Sequence, residues 1–340
     1  MGESAARKEV PGSVSVSAMS GCTDAPFRKI ARAAAPGALM FAEMIKARAL
    51  VEGNRRTARM LASFPGDRPL GLQIVGADPG IVAKCAARLE ALEPDVLEIN
   101  AACPAGKVVR RSEGAGLMRD VEKAGRVIRA ARENWRGSLS VKMRLGWEEG
   151  DGLGESLALI CRDAGVDSIT VHGRYAAGGY KQPVRADLVR RIAESVSIPV
   201  RANGGVFSAS DALDLRRESG CRSIVLGRGA MGNPWLIGQI RAALDGAPAP
   251  SPPSDEEKFE TFRKHIELVY DFYGPKGATG VARKVACWYS GWFKEAARLR
   301  RAFTKAKSME DFLGCVGGCV GSTGEPLFVK GVPLHPFLKL

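Results

Sequence analysis

No apolar run in this chain of 340 residues is long enough to span a bilayer. Residues 1–11 are polar and charged and lack the apolar stretch of a secretory leader. A cytoplasmic protein with no membrane partner is therefore expected. The eight cysteines are scattered, with no C-x2-C pair and no spacing that reads as a disulfide framework. Cys315 and Cys319 form a C-x3-C in a Gly-rich tail, but no second pair of ligands lies near them in sequence, so no metal site is expected. Histidine is scarce, with only His172, His265 and His335. Positive charge is what the chain has in surplus, 50 Lys and Arg against 37 Asp and Glu, a formal net charge of +13. An excess of this size points to a polyanionic partner, nucleic acid foremost, against the plainer reading of a basic but indifferent surface.

Eight short β-rich runs alternate with amphipathic stretches. The runs cover 14–19, 39–44, 70–75, 96–100, 139–145, 168–172, 199–202 and 223–226. Helical patterns cover 79–92, 121–133, 157–164, 186–194 and 209–218. In the first of these, Ile81, Cys85 and Leu89 recur every four residues, and Asp78-Pro79 supplies an N-cap followed by proline in the first turn. Strands separated by helices need crossover connections and hence a parallel sheet. Eight β/α units in roughly 250 residues fit a closed (β/α)8 TIM barrel over 1–245, with an open doubly wound sheet as the alternative. A Pro-rich linker, 246–254, follows. Beyond it, 255–313 reads as an all-helical domain, with helices over 256–273 and 280–305, and 314–340 is a tail without assignment. The second helix carries Arg283, Lys284, Lys294, Arg298, Arg300, Arg301, Lys305 and Lys307 against one acid, Glu295. Trp288, Tyr289, Trp292 and Phe293 are interleaved at a spacing that suits core positions.

The strand ends carry residues that packing alone would not choose. They are Met19-Ser20-Gly21, Glu43-Met44, Gln73, Asn100 with Cys103 beyond it, Lys142 and Arg144, His172-Gly173-Arg174, Asn203-Gly204-Gly205 and Gly227-Arg228-Gly229. Polar side chains in apolar strands are costly unless partnered. Their repetition at one rim implies a shared pocket at the barrel's C-terminal face. Taken alone, Cys103 reads equally as a small hydrophobe filling a gap, and His172 as a structural histidine. Glycines beside Arg228 after the last two strands suit the phosphate of a cofactor. The G-x-G-x-x-G at 227–232 falls in the eighth β/α unit, and no βα pattern with a suitably placed acidic residue follows it, so a dinucleotide fold is not expected.

As a set, these residues resemble the tRNA-dihydrouridine synthases. The resemblance rests on Ala18-Met19-Ser20-Gly21-Cys22-Thr23-Asp24-Ala25-Pro26-Phe27-Arg28, Glu43-Met44, Leu72-Gln73-Ile74 and Asn100-x-x-Cys103-Pro104-x-x-Lys107-Val108. It continues through Val141-Lys142-x-Arg144, Val171-His172-Gly173-Arg174 and Gly227-Arg228-Gly229-Ala230-x-Gly232-Asn233-Pro234-Trp235. Gly53-Asn54-Arg55 and the stretches around Phe272-Tyr273-Gly274 and Ala282-Arg283-Lys284 resemble the bacterial B-type branch most. The chain differs in Ala101-Ala102 before the cysteine, in a charged, glycine-poor loop after Lys107, in Gly205, and in Val285 where the tRNA-binding helix usually has histidine.

The resemblance implies FMN in the barrel, NADPH or NADH as reductant, and reduction of specific tRNA uridines to 5,6-dihydrouridine. It implies Cys103 as general acid, and Met19, Gln73, Lys142, His172, Asn203, Gly204, Gly205, Gly227 and Arg228 around FMN. Asn100 would face the uracil ring, with Glu43, Lys107, Arg144, Arg283 and Lys284 on the RNA side and the helical domain as the tRNA grip. A monomer is expected. Reducing the C5–C6 bond of uracil takes a hydride at C6 and a proton at C5. An ordinary thiol is mostly protonated at pH 7 and can give that proton without special tuning. The base must leave the RNA stack to reach a barrel mouth, so a loop nucleotide is the expected substrate. Two other readings compete: a flavin barrel acting on a free pyrimidine, like the dihydroorotate dehydrogenases, and a non-catalytic RNA-binding barrel. The basic helical appendage speaks against the first, and intact Cys103, Lys142, His172 and Arg228 against the second.

Overall fold

The computed structural model describes residues 12–293 and 295–317. Expectations that fall on residues 1–11, Lys294, Cys319, His335 and the rest of the tail lie outside the described residues. Eight parallel strands close into a barrel: β1 (Val14–Val16), β2 (Leu39–Phe41), β3 (Leu70–Val75), β4 (Val96–Ala101), β5 (Ser138–Arg144), β6 (Ser168–His172), β7 (Val200–Asn203) and β8 (Ser223–Leu226). Two pairings exclude the open sheet. Met40 of β2 registers with Leu70 of β3, and Val14 of β1 with Ile224 of β8. A helix follows each of the strands that the alternating pattern marked, for example Pro79–Glu90 after β3 with Asp78 accepting the Ile81 N–H.

Strand two is shorter than its apolar run. Pairing with β3 stops at Phe41↔Gly71 and resumes at Ile45↔Ile74, so four steps on one chain oppose three on the other. The extra residue is a bulge, a device common beside functional sites, and Glu43 and Met44 sit in it. Gly71 is dictated by packing, because a Cβ there would collide with the Phe41 ring.

Alternation along the strands sorts two environments. In β5, Leu139, Val141 and Met143 join the main apolar core against the surrounding helices. Ser138, Ser140, Lys142 and Arg144 take the alternate positions and are equally buried. Inside the barrel the apolar cluster is small, formed by Leu39, Phe41 and Val96. Above it lies a polar layer that the sequence reading missed. Glu98 Oε2 pairs with Arg201 Nη2 at 3.5 Å and accepts from Thr170 Oγ1 at 3.2 Å and Ser140 Oγ at 3.3 Å.

The expected helix over 256–273 runs from Asp255, behind a Ser254–Glu257 capping box, and breaks at Gly274 (φ 69°), after which Pro275 opens a second segment to Tyr289. The helix expected over 280–305 is interrupted. It gives way to a turn at Ser290–Trp292 and resumes as Ala296–Lys305, and a further helix spans Met309–Gly317. Trp288, Tyr289, Trp292 and Phe293 are all buried. Trp292 Nε1 donates to the Gly232 carbonyl at 2.6 Å and its ring meets Trp235 edge-on, which ties the helical region to the last β/α unit. No described helix is long and apolar enough to cross a membrane.

His265 sits where the helical region meets the barrel helix Ala25–Ala34. It is 1% exposed, shares a 3.0 Å hydrogen bond through Nδ1 with Tyr289 OH, and lies against Phe27. Burial, with a smaller push from Lys284, lowers its pKa from 6.5 to about 3. The unfolded chain therefore binds a proton here that the native protein refuses below pH 6.5. Stability from this group is present above pH 6.5 and drains as pH falls toward 3, by roughly 1.4 kcal/mol per pH unit. Urea midpoints at pH 7 and pH 4.5 should differ less in His265→Phe than in the parent by about 2 kcal/mol of unfolding energy; equal differences would show that His265 does not set acid sensitivity.

Candidate active site

Inward residues at the C-terminal ends of the strands enclose a cavity of about 780 Å³, closed on one side by Arg283, Lys284 and Trp288 of the helical region. Of the expected site residues, Met19, Gln73, Asn100, Cys103, Lys142, Arg144, His172, Asn203, Gly204, Gly205, Gly227, Arg228, Arg283 and Lys284 line it. Glu43 and Lys107 do not. Lys107 is exposed on the short helix Gly106–Val109, and Arg110 and Arg111 are exposed just after it.

Cys103 stands three residues past Asn100 because the Asn100 side chain folds the chain back. Asn100 Oδ1 accepts the N–H groups of Ala102 and Cys103, both at 2.9 Å. Arg144 Nε donates to the Ala102 carbonyl at 2.7 Å, and the Ala115 N–H donates to the Cys103 carbonyl at 2.9 Å. Gly114 (φ +55°) packs so close that a Cβ would come within 2.8 Å of the Cys103 carbonyl oxygen. The glycine-poor loop before it puts Ser112 at φ +57°, a left-handed conformation that costs a non-glycine residue about 1 kcal/mol. Backbone and neighbours thus fix the loop, and the half-buried thiol is left to face the cavity.

Beside this loop the wall is cationic, beginning with Lys142, which registers with Asn100 on the neighbouring strand. Lys142 Nζ donates to Asn203 Oδ1 at 2.6 Å, and Asn203 Nδ2 donates to the Val225 carbonyl at 2.6 Å. Burial lowers the Lys142 pKa to about 8, against the pull of Glu98. His172 is driven well below its usual pKa by burial first, and then by Arg144, Lys142, Arg174 and Arg228, so its ring is neutral. Its Nε2 lies 3.0 Å from Arg174 Nη1 and serves as the acceptor there. Gly204 (φ +127°) packs against this ring, where a Cβ would lie 2.9 Å from the imidazole, and Gly205 (φ +72°) packs against Val184. Tyr180, a residue the sequence reading missed, reaches over the rim, with the Arg228 guanidinium 4.5 Å from its ring centroid and Arg144 at 5.6 Å. It stands in a glycine-containing loop after β6, and an aromatic in such a loop at a barrel's C-terminal face was the signal available.

Several expected contacts turn inward instead. The Gly21 N–H donates to Glu43 Oε1, and Lys284 Nζ donates to the Gly21 carbonyl. Together they clamp the turn that carries Met19. Arg283 uses Nε and Nη2 on the Ala306 carbonyl at 3.1 and 2.9 Å, capping the helix Ala296–Lys305. Arg144 Nη1 donates to the Tyr175 and Gly179 carbonyls at 3.1 and 3.3 Å, which leaves it holding two loops. Val285 is 1% exposed in the helical core, so the histidine-to-valine difference removes no surface contact.

A (β/α)8 barrel with a thiol-bearing, cation-walled cavity at the end where such barrels carry out chemistry defines the class. The model of one family, dihydrouridine synthase (Dus), matches residues 15–318. The chain is 34% identical over 295 residues to a probable tRNA-dihydrouridine synthase of Rickettsia conorii, covering 86% of this chain and 89% of that protein. It is 29% identical over 302 residues to tRNA-dihydrouridine synthase B of Pseudomonas aeruginosa, covering 88% and 90%. Among solved structures, the BexX/CysO complex of Amycolatopsis orientalis aligns with 74% of this chain and 97% of its own at 16% identity and a TM-score of 0.47. The chain belongs to the dihydrouridine synthase family.

Proposed function

We propose that this chain reduces specific uridines in tRNA to 5,6-dihydrouridine, with FMN in the barrel cavity, NADPH or NADH as reductant and Cys103 as the proton donor. The observation that carries the reading is that Cys103 lines one cavity together with Lys142, His172 and Arg228. The cavity, about 780 Å³, is in the usual range for cofactor pockets. Gly204 and Gly205, with a neutral His172, Arg174 and Arg228 lining the same cavity, would hold a phosphate. Lys142 and Gln73 offer donors to an isoalloxazine edge, and Met19 with Gly227 gives it an apolar seat. When bound, FMN supplies hydride chemistry that no side chain can. Cys103 would deliver its proton to C5 of the uracil, while the locked loop keeps Sγ at one height above the ring. Tyr180 offers a face for a flipped base. In the helical region, Arg301, Lys305 and Lys307 are exposed and suit phosphate contacts better than the inward-turned Arg283 and Lys284. On this reading 1–245 is the catalytic unit, 255–313 the RNA grip, and a cytoplasmic location goes with tRNA as substrate.

The test is direct. Protein purified without added cofactor should be yellow, release FMN on denaturation, and add dihydrouridine to unmodified tRNA when given NADPH or NADH. Nucleoside mass spectrometry of tRNA from a strain lacking the protein should show dihydrouridine missing from defined positions. Unchanged dihydrouridine in that strain, together with no reduction in vitro, sinks the reading.

A further inference from the structure

A chain of hydrogen bonds runs through the barrel interior from Glu98 to the Cys103 loop. Gln73 Nε2 donates to Glu98 Oε1 at 2.6 Å, and Asn100 Nδ2 donates to Gln73 Oε1 at 2.6 Å. Asn100 Oδ1 then takes the Ala102 and Cys103 N–H groups at 2.9 Å each. An amide side chain can be turned end for end, so its direction must be imposed by its partners. Here both ends of the chain impose it. The Glu98 carboxylate, paired with Arg201, only accepts, and the two backbone N–H groups only donate. A single arrangement of the two amides satisfies both.

We propose that Glu98 is a positioning residue for Cys103, acting from the barrel interior by setting the direction of the Gln73 and Asn100 amides. Asn100 is then the last link of a directional relay, with its oxygen committed to the loop. The neutral isostere Glu98→Gln makes the consequence plain. Glu98 Oε2 faces three donors, Ser140, Thr170 and Arg201, so the new amide must keep its oxygen there and turn its NH2 toward Gln73. Gln73 must then offer its oxygen to position 98 and its NH2 to Asn100. Asn100 in turn must present its oxygen to Gln73 and its NH2 to two N–H donors. One oxygen exchanged for an NH2 at position 98 is thus passed through Gln73 and Asn100 and releases the turn that holds the thiol.

An aspartate at position 100 has no direction to invert, since both its oxygens accept; with Glu98 unchanged it faces the Gln73 oxygen, and Glu98→Gln turns the Gln73 NH2 toward it. The acceleration caused by Glu98→Gln should therefore vanish in an Asn100→Asp background. The measurement is amide hydrogen exchange at Ala102 and Cys103 in the full-length protein, which uses no substrate and stands apart from the uridine reading. Glu98→Gln should speed exchange there by about tenfold or more, the scale of two lost backbone bonds. With Asn100→Asp already present, the same substitution should leave exchange within about twofold. Equal acceleration in both backgrounds would mean that Glu98 merely stabilises the barrel, and no acceleration in either would remove its hold on the loop; each overturns the proposal. If Glu98→Gln alone does not accumulate as folded protein, the double variant must, and failure of both also overturns it.

Discussion

Cys103→Ala should lower uridine reduction in tRNA by about 10²–10⁴, the range a positioned general acid contributes, while flavin content and flavin reduction by NADPH stay at parent levels. The loop should survive the change, because none of its anchors involves the sulfur. Asn100 holds the Ala102 and Cys103 amides, Arg144 holds the Ala102 carbonyl, and Ala115 holds the Cys103 carbonyl. Loss of turnover can then be read as loss of a proton donor and not as collapse of the site. Cys103→Ser, a far weaker acid of similar size, should fall near the alanine variant. Single-turnover mixing of reduced enzyme with tRNA separates the two half-reactions. Full-rate oxidation of the flavin by tRNA in Cys103→Ala would take the thiol out of the chemistry.

The barrel could be read from the chain because its outer face obeys a simple rule. Each strand is a short run that buries apolar residues against the helices, and 70–75, 168–172 and 223–226 coincide with observed strands. The rim was legible for the same reason, since Lys142, His172 and Asn203 interrupt apolar alternation near strand ends. The interior was less legible. Glu98 and Arg201 lie a full strand pair apart and 103 positions apart in sequence, and neither advertises its partner. Strand β5 did carry the clue, with Ser138, Ser140, Lys142 and Arg144 all on one face. Two cations of the helical region line the cavity and also serve the fold. Arg283 and Lys284 look like phosphate ligands by composition, yet each meets a backbone carbonyl, one capping a helix and one clamping Gly21. Charge along a helix says which groups are available and leaves open whether the protein uses them itself.

Arg201→Leu should cost about 3–5 kcal/mol of unfolding free energy, a larger stability effect than any exposed ion pair of this chain can supply. Arg201 is 3% exposed and Glu98 1%, deep in the barrel between the Leu39, Phe41 and Val96 cluster and the cavity floor. Removing the guanidinium leaves a carboxylate in that space with two hydroxyls, one amide and the more distant Lys142 ammonium as its support. Most of the loss comes from that stranded charge and not from the attraction itself, because both ions gave up their water to enter the barrel. The distinction can be measured. Replacing both partners, as in Glu98→Met with Arg201→Met, should recover most of the stability in urea unfolding, since no stranded carboxylate is left behind. Yet this apolar repair should leave the Ala102 and Cys103 amides less protected than in the parent, because Gln73 loses the carboxylate that holds it and only the loop's own N–H groups then direct Asn100. A single Arg201→Leu variant within about 1 kcal/mol of the parent would show that the pair is a passenger. A stable double variant with a loose Cys103 loop would separate what the pair does for the fold, which is little, from what it does for the site.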